Sequence, residues 1–415
     1  MSRWGARRGA EGPAVAVIGG SIGGLISALV LRDTGCEVQV FERSKFPLEG
    51  RGAGIVLHPV TVRSLGADRS LVLERVAAPA SVLRYLTREG EVLLEEGIRY
   101  RFTSYASLYA ALLERLEPER YHLGSECVAL EQERDRVIVR LAGGGASAFD
   151  LVVGADGIHS TVRGLLFPRI FPAYAGYVGW RGTLPEDGLP PRAEAGLLGA
   201  LTYFVAPGTH VLSYPIPAAE RGTTGRLTNW VWYRNVPEGP PLEDLMTDAT
   251  GIRHDMSLPP GSVRREHVAA LRRAAGDELP PAFADLVAAS PEPFVQVIVD
   301  IGVPRMVGGR VCLIGDAAFA LRPHIAAGTA KAAADAHALG EAIGAHRGDV
   351  PAALAAWEPG QLALGRAALA RARRVGTRVQ IEGTYRPGDP EMAFGLFAPG
   401  DQSFPHLEPV SGRGA

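Results

Sequence analysis

The sequence has little cysteine, almost no lysine and no long apolar run. Its three cysteines, Cys36, Cys127 and Cys312, are odd in number and far apart, and they form no C-x-x-C pair. This spacing excludes a disulfide framework and a cysteine-based metal site, so no metal is expected. Cysteines of this kind are expected to be buried thiols in a reducing compartment. Cys312 lies in an apolar run and is expected to pack in a strand.

Membrane and nucleic-acid partners are not expected. No apolar stretch reaches the roughly 18 residues that a membrane span needs. Residues 1–12 are rich in Arg and Gly and lack the apolar core of a signal peptide. The formal net charge is -2, which gives no electrostatic attraction to nucleic acid or to an anionic membrane surface. We therefore expect a cytoplasmic protein, and its 415 residues correspond to roughly two to three domains.

A β-α-β unit is predicted near the start of the chain. The apolar run Ala14–Ile18 is typical of a buried strand, and a glycine-rich turn follows at residues 19–24. The segment Leu25–Arg32 is predicted to be a helix that ends before Gly35. The alternating segment Glu37–Phe41 is predicted to be the second strand, and the whole unit has about the ~30 residues of such a motif.

The glycine turn carries the chemistry of dinucleotide binding. Gly19 permits the tight turn, the small Ser21 lets a pyrophosphate approach the backbone, and Gly24 lets helix and strand pack closely. The helix start offers free N–H donors and the positive end of the helix dipole. Glu42, at the end of the second strand, suits a ribose hydroxyl. Glycine usually stands where Ser21 stands, so the match has one mild departure.

The rest of the chain predicts an α/β (α+β) fold. A helix is predicted over Leu108–Leu116, and strands over Val137–Arg140, Phe149–Val153 and Val311–Ile314. Alanine-rich helices are predicted from 317 to 345, with a break near Pro323, and from 350 to 374; the tail after Pro387 is expected to be irregular. We expect a Rossmann-like first part at 14–167, an inserted, mainly antiparallel β-sheet domain at 168–300, a second Rossmann-like part at 301–345, and a C-terminal helix and tail at 346–415.

Two later segments distinguish FAD from NAD as the bound dinucleotide. One runs from Asp150 to Arg163 and contains Gly154-Ala-Asp156-Gly157, and the other runs from Arg310 to Pro323 and contains Gly315-Asp316. Together with the glycine turn, in this order and spacing, they resemble the single-component FAD-dependent aromatic hydroxylases, the group of para-hydroxybenzoate hydroxylase. The resemblance covers residues 14 to 375. It implies FAD as cofactor, NADH or NADPH and O₂ as co-substrates, and a homodimer.

The resemblance implies roles for individual residues. The pyrophosphate of FAD would lie at Gly19, Ser21, Ile22 and Gly24, the adenosine at Glu42, Arg43 and Val128, and the flavin side at Arg51. Asp156 belongs to a motif tied to both FAD and NAD(P)H, and Gly315-Asp316 to the ribityl chain. Pro323 and Ala326-Ala327-Gly328, at a helix start, would face the flavin ring. Without the resemblance, an aspartate at a strand end is often a helix cap, and His159 and Arg163 are helix-face neighbours.

The sequence departs from the group at two places. The usual Gly-Gln-Gly run reads Ala326-Ala327-Gly328, with Ala330 in place of a later asparagine, and Tyr105 replaces an arginine. The runs Arg322–Asp335, Gly179–Gly182 and Asn229–Asn235 are similar to one branch, the 2,6-dihydroxypyridine 3-hydroxylases. Lys331 and Asp335, four residues apart on the alanine-rich helix predicted from 317 to 345, are expected to form an ion pair.

The implied reaction hydroxylates an electron-rich ring, dihydroxypyridine-like, through a flavin hydroperoxide. The protein must hold the ring, remove its hydroxyl proton and exclude water. His324, whose ordinary pKa is about 6.5, is a candidate base, and a structural, space-filling role is its alternative. Arg181 is a candidate anion contact. An aromatic set on the β layer would roof the site, with some of its side chains pointing away: Tyr203, Tyr214, Trp230, Trp232 and Tyr233.

Three other functions stay open on the residues alone. A flavin halogenase would carry Trp-x-Trp-x-Ile-Pro and an essential lysine, whereas Trp232 is followed here by Tyr233 and Arg234. An oxidase would release peroxide and leave its substrate without a new oxygen. A non-catalytic scaffold of the same fold would bind no flavin, and the aspartates at 156 and 316 argue against it.

Overall fold

The computed structural model describes residues 12–48, 54–218 and 225–404. The strands of these residues are, in chain order, Ala14–Ile18 (β1), Glu37–Phe41 (β2), Gly54–Val56 (β3), Ala78–Leu86 (β4), Val92–Ser104 (β5), Tyr121–His122 (β6), Cys127–Gln132 (β7), Val137–Leu141 (β8), Ala146–Phe149 (β9), Leu151–Gly154 (β10), Ala173–Pro185 (β11), Ala200–Ala206 (β12), Thr209–Pro217 (β13), Arg226–Asn235 (β14), Ser257–Leu258 (β15), Phe294–Asp300 (β16), Val307–Gly308 (β17) and Val311–Leu313 (β18). The helices are Ile22–Asp33 (α1), Pro59–Arg63 (α2), Arg69–Val76 (α3), Tyr105–Leu113 (α4), Thr161–Leu166 (α5), Pro191–Leu197 (α6), Pro240–Leu245 (α7), Arg265–Glu278 (α8), Pro281–Ala289 (α9), Gly328–Ala345 (α10) and Val350–Thr377 (α11).

A six-stranded sheet in the order β17-β18-β10-β1-β2-β6 forms the centre of the nucleotide-binding part. All its pairs are parallel except β17 with β18, and Val17 at its middle pairs with Val153 and Val40. Its central strands are apolar along their length because helices cover the sheet. The predicted β-α-β unit and the α/β fold are confirmed. Helix α1 begins at Ile22, three residues earlier than predicted, directly after the glycine turn.

A nine-stranded sheet in the order β15-β16-β11-β14-β13-β12-β4-β5-β3 forms the second layer. All its pairs are antiparallel except β12 with β4. It takes three strands from residues 54–104 and six from residues 173–300. The domain limit between residues 167 and 168 stays a prediction, and this sheet draws strands from both sides of it. A separate three-stranded sheet has the order β7-β8-β9.

The two faces of the nine-stranded sheet differ. Trp230 and Trp232 lie on one face, in a core formed with helices α6, α8 and α9. Tyr203, Tyr214 and Tyr233 lie on the other face, in a second core with Phe102 and Phe394. This alternation follows from the two-residue repeat of a strand. The three helices were not predicted from the sequence, which indicated only a mainly antiparallel layer there.

The region after residue 314 departs from the prediction, which had helix from 317 to 345 with a break near Pro323. Short 3₁₀ turns occupy Gly315–Ala317 and Pro323–Ile325, and the α-helix α10 begins only at Gly328. Proline lacks the N–H that a helix interior requires. Ala326 has a φ of 53°, in the left-handed region, so the chain reverses before α10 starts. Helix α11 and the irregular segment after it agree with the prediction.

All three cysteines are buried, and Cys312 lies on strand β18 as predicted. Burial raises the pKa of Cys36 to about 11 and that of Cys127 to about 12. These thiols therefore stay protonated and unreactive near neutral pH. Among the described residues, no helix has the length and apolar character needed to cross a membrane.

Candidate active site

The glycine turn after β1 is built for close backbone approach. Gly19 has a φ of +103°, and a Cβ added there would lie 2.5 Å from the carbonyl oxygen of Ala155. A Cβ at Gly24 would overlap the carbonyl oxygen of Gly19, so both positions require glycine. The hydroxyl of Ser21 lies 2.8 Å from that of Tyr105, and the first turn of α1 has no side-chain cap within the described residues. The helix therefore presents free N–H groups to an anion.

Glu42 holds the end of β2 against this turn. Its carboxylate accepts hydrogen bonds from the backbone N–H groups of Gly20 and Ser44, each at 2.8 Å. The side chain is buried and lines the cleft described below. A carboxylate in this position is fixed by two backbone donors and has lone pairs left for a further donor such as a hydroxyl.

Asp156 acts as a cap for α5 and also faces the cleft. It accepts hydrogen bonds from the Ser160 hydroxyl and from the backbone N–H of Val162, at 3.0 Å for the latter. Burial raises its pKa, although these bonds act in the opposite direction. Arg163 is buried and donates to the carbonyl oxygens of Ile158 and Ala317. The segment after β10 is thereby tied to the segment after β18.

Asp316 differs from Glu42 and Asp156 because no hydrogen bond to its carboxylate is found among the described residues. Burial raises the pKa of its carboxyl group to about 6, and no other group acts on it appreciably. The neighbouring Gly315 donates its N–H to Asp335 at 3.0 Å, and Asp335 also pairs with the ammonium of Lys331. Lys331 and Asp335 are fully buried, so the predicted ion pair is confirmed as an internal one.

A cleft of about 510 Å³ joins these elements. It brings together ten of the residues expected to bind the cofactor: Gly19, Ser21, Ile22, Glu42, Arg43, Tyr105, Asp156, Gly315, Asp316 and Gly328. Gly24 supports the turn from behind. Val128 is exposed and lies outside the lining, whereas its predecessors Ser125, Glu126 and Cys127 line the cleft. Arg51 lies outside the described residues.

A second cavity of about 200 Å³ adjoins the cleft. The two share four lining residues: Ile55, Asp316, Gly328 and Thr329. The second cavity contains the expected site residues Arg181, Tyr214, Pro323, His324, Ala326 and Ala327. The tryptophans Trp230 and Trp232 point to the opposite face, where their indole N–H groups donate to Ser290 and Thr209. The predicted division of the aromatic set into pocket and core is therefore observed.

Two histidines stack in this cavity. His324 and His210 lie with ring centroids 5.4 Å apart and an interplanar angle of 21°. Burial lowers the pKa of His210 to about 3, and it also lowers the pKa of His324 well below its usual value. Both rings are therefore neutral near pH 7. Neither nitrogen of His210, nor Nδ1 of His324, has a hydrogen-bond partner among the described residues.

His210 was not recognised from the sequence. It sits on β13, in a run where alternate residues face the cavity, and nothing in that run marks it as chemical rather than structural. Unpartnered buried nitrogens are costly unless a ligand or water satisfies them. This pair therefore indicates that the cavity accepts a polar ligand.

Arg181 and Gly54 both line the smaller cavity, and Asn229 is hydrogen-bonded to Gly54. The hydroxyl of Tyr214 donates to the carbonyl oxygen of Gly54 at 2.9 Å, and the N–H of Gly54 donates to the amide oxygen of Asn229 at 3.2 Å. The side-chain amide nitrogen of Asn229 and Nε of Arg181 have no partner within the described part of the chain. Arg181 thus places a buried cation at the cavity, which suits an oxygen-bearing ring.

The turn before α10 is braced by distant segments. The carbonyl oxygen of Ala326, the residue with the left-handed backbone, accepts a hydrogen bond from Nε2 of buried His58 at 2.9 Å. A carboxylate oxygen of Asp401 lies 3.8 Å from Nδ1 of the same ring. The N–H of Gly395 donates to the carbonyl oxygen of Ile325 at 3.0 Å. The segment that follows α11 therefore holds the wall of the second cavity, and its Phe394 lines that cavity.

Comparison with known proteins agrees with this geometry. The 2,6-dihydroxypyridine 3-monooxygenase of Paenarthrobacter nicotinovorans is 42% identical over 388 residues, which is 92% of this chain and 95% of that protein. The chain belongs to the FAD-dependent aromatic hydroxylases. Residues 174–300 of this aromatic hydroxylase also match the family described as FAD binding domain-like.

Solved structures of aromatic hydroxylases share its fold. The 2,6-dihydroxypyridine-3-hydroxylase from Arthrobacter nicotinovorans superposes with a TM-score of 0.87 at 41% identity, over 92% of this chain and 97% of that one. HpxO of Klebsiella pneumoniae, solved with FAD and uric acid, gives a TM-score of 0.73 at 26% identity, over 89% and 90% of the two chains. The resemblance found in the sequence is confirmed: this aromatic hydroxylase is an FAD-dependent monooxygenase. Among its described residues, no cluster of three or more metal-ligating side chains occurs.

Proposed function

We propose that FAD lies along the larger cleft, from the glycine turn to the start of α10. Its pyrophosphate would meet the free N–H groups of α1, and its adenosine ribose would meet Glu42. The ribityl chain would supply hydroxyl donors to Asp316. The fit rests on two observations: the turn has no room for a Cβ at Gly19, and the half-buried carboxyl group of Asp316 accepts no hydrogen bond from the described residues. A flavin ring near Gly328 would lie at the wall shared by the two cavities.

We infer that the smaller cavity binds the substrate, an electron-rich hydroxylated N-heteroaromatic ring of the dihydroxypyridine type. The observation that carries this is the pair of neutral, stacked histidines that line the smaller cavity, with three nitrogens that have no partner among the described residues. At about 200 Å³ the cavity is smaller than typical drug-sized pockets, which favours a single ring. The substrate of the 42% identical relative has the same character.

The residues of the cavity have distinct tasks in this reaction. Bound FAD supplies the activation of O₂, with electrons taken from NADH or NADPH. Arg181 lines the cavity and would stabilise negative charge on a ring oxygen. An imidazole nitrogen of His210 would accept a hydrogen bond from the ring hydroxyl, and the negative charge that develops on the ring would raise the pKa of His210 so that it can take the proton. Tyr203, Tyr214 and Tyr233 exclude water from the ring.

Three further features belong to this proposal. The reductant, NADH or NADPH, is expected from the family. A homodimer and a cytoplasmic location are expected from the resemblance and from the cysteine usage, and sedimentation of the purified protein and fractionation of cells test them.

The experiment is to purify the protein, record its visible spectrum and follow NADH and NADPH oxidation with hydroxypyridines and hydroxybenzoates. We expect a yellow protein and a hydroxypyridine that both accelerates oxidation and gains one oxygen atom. Oxidation that yields peroxide equal to the reductant consumed, with no oxygenated product, would refute the hydroxylase proposal in favour of an oxidase. Faster turnover with hydroxybenzoates than with hydroxypyridines would refute the substrate class.

A matched pair of variants tests the role of the cavity. His210→Asn is expected to lower kcat at least tenfold, since a positioned general base typically contributes 10²–10⁴-fold. His346→Asn changes a histidine that lines neither cavity and is expected to leave the oxygenation of the ring intact. Equal losses in both variants would contradict a specific role for His210.

A further inference from the structure

His324, which lines the smaller cavity, has one nitrogen in contact with Tyr177 and one without a hydrogen-bond partner among the described residues. The hydroxyl of Tyr177 lies 2.8 Å from Nε2 of His324, and both side chains are buried. Nδ1 of the same ring has no hydrogen-bond partner among the described residues, and His324 lines the smaller cavity. A neutral imidazole carries its proton on one nitrogen only, so the role of Nδ1 depends on which atom of the Tyr177 contact is the donor.

The surroundings of Tyr177 decide whether Tyr177 or His324 donates the hydrogen bond between them. Arg322 lies against the Tyr177 ring, with its guanidinium carbon 5.8 Å from the ring centroid. Its charge is held there by Asp300, whose carboxylate accepts from Nη2 of Arg322 at 2.9 Å and from Nε of Arg373 at 3.0 Å. A guanidinium only donates hydrogen bonds. The oxygen lone pairs of Tyr177 therefore favour the side of Arg322, and its proton favours His324.

The opposite arrangement leaves a buried group unsatisfied. If Nε2 of His324 donated to Tyr177, the tyrosine proton would have no acceptor in the described residues and would point toward a cation. An unsatisfied buried donor costs about 1–3 kcal/mol, which is enough to select one tautomer. Burial also raises the pKa of Tyr177 far above its usual value, so the hydroxyl keeps its proton near neutral pH.

We propose that Tyr177, oriented by Arg322 and Asp300, is a positioning residue that fixes His324 as the Nδ1–H tautomer, so that His324 donates a hydrogen bond to a ring oxygen of the substrate. His324 is then not the base, because its Nε2 lone pair is already used by Tyr177. The proton-accepting role falls to His210, which stacks on His324 and whose two nitrogens have no hydrogen-bond partner in the part of the chain that the structure describes. The tautomer of His324 is argued from contacts within the protein alone. The hydrogen bond from His324 to a ring oxygen of the substrate rests on the proposed function.

The groups that face His324 come from several elements. Tyr233 packs on its ring at a centroid distance of 4.8 Å, and His210 and Arg322 act on it electrostatically in the direction that keeps it neutral. The ring therefore remains a neutral donor over the pH range in which the protein is handled, and tautomer selection does not require a change of charge.

The first test reads the tautomer directly in the FAD-loaded protein without substrate. Selective ¹⁵N labelling of histidine, with the His324 signals assigned by their loss in His324→Asn, distinguishes Nδ1–H from Nε2–H by nitrogen chemical shift. We expect Nδ1–H in the wild type and a mixture in Tyr177→Phe. Nε2–H in the wild type, or an unchanged tautomer in Tyr177→Phe, would overturn the proposal whatever the substrate proves to be.

The second test measures the consequence for binding. In Tyr177→Phe, 2,6-dihydroxypyridine is expected to bind roughly threefold to tenfold more weakly, the worth of one hydrogen bond, as judged by perturbation of the flavin spectrum. Pyridine, which lacks ring oxygens, is expected to bind the variant and the wild type equally. Tyr174→Phe is the control, because Tyr174 lies on the same strand and loses a bond to the carbonyl oxygen of Val236, away from the cavity. An equal loss in the control, or for pyridine, would show a general structural effect and refute the specific role.

Discussion

Replacing Asp316 by asparagine tests whether the ionised side chain of Asp316 lowers the free energy of unfolding of the FAD-free protein. Burial raises the pKa of Asp316 from its ordinary 3.8 to about 6. A group whose pKa is raised in the folded state favours folding when protonated, and that contribution is lost as the pH rises through about 6. Near pH 7 the ionised carboxylate therefore destabilises the FAD-free protein.

The size of the effect follows from the same shift. A rise in pKa from 3.8 to about 6 corresponds to about 3 kcal/mol at pH 7. This figure is an upper bound, because water in the open cleft solvates the carboxylate. Asp316→Asn is thus expected to raise the free energy of unfolding of the FAD-free protein by about 1–3 kcal/mol at pH 7. At pH 4 the gain is expected to fall below about 1 kcal/mol, because Asp316 is then protonated in the folded chain and partly protonated in the unfolded chain.

The variant is expected to lose affinity for FAD while it gains stability. A hydrogen bond to a charged acceptor contributes about 1.5–3 kcal/mol, so FAD is expected to dissociate roughly tenfold to a hundredfold more readily. Urea unfolding of the FAD-free protein at pH 4 and pH 7, together with a flavin fluorescence titration, measures both effects. The exposed Asp187, replaced in the same way, serves as control. A gain that is equal at the two pH values, or a variant that binds FAD as tightly as the wild type, would refute the reasoning.

Two other substitutions have clear expected outcomes. Lys331→Met leaves the carboxylate of Asp335 buried and unpaired, so thermal or urea unfolding is expected to show a loss of about 3–5 kcal/mol, while the exposed Lys45→Met shows none. A loss below 1 kcal/mol would mean that the pair is dispensable. Phe394→Ala enlarges the smaller cavity, so alkyl-substituted hydroxypyridines are expected to bind more tightly than to the wild type in flavin spectral titrations. The exposed Phe397→Ala is its control, and unchanged selectivity in Phe394→Ala would show that Phe394 does not limit ring size.

The nucleotide-binding part could be predicted from the sequence because its signals are local. The strand before Gly19, the helix after it and the acid at Glu42 lie within one β-α-β unit, and each has a steric or electrostatic reason. The segments around Asp156 and Asp316 extended this to FAD through a family resemblance. The glycine geometry in the structure agrees with both steps.

The substrate side could not be predicted in the same way because its contacts are distant in sequence. Strand β4 pairs with β12 across more than a hundred residues, and no periodicity within either strand encodes that pairing. The helices behind the sheet begin at prolines such as Pro191 and Pro281, which resemble loop signals although proline also suits the first turn of a helix. In the sequence, His210 is one aromatic residue in a buried strand. Only the structure indicates a role in ligand binding, because neither of its nitrogens has a hydrogen-bond partner among the described residues.

The wall shared by the two cavities has a thermodynamic consequence. Asp316, Gly328 and Thr329 border both the cleft and the smaller cavity, so each ligand completes part of the enclosure of the other. Binding of one therefore alters the affinity for the other, and reciprocity requires that the factor be the same in both directions. A ring compound that slows the release of FAD must bind the FAD-loaded protein more tightly than the FAD-free protein by that factor. Cofactor retention thus becomes an indirect measure of how well a ring fits.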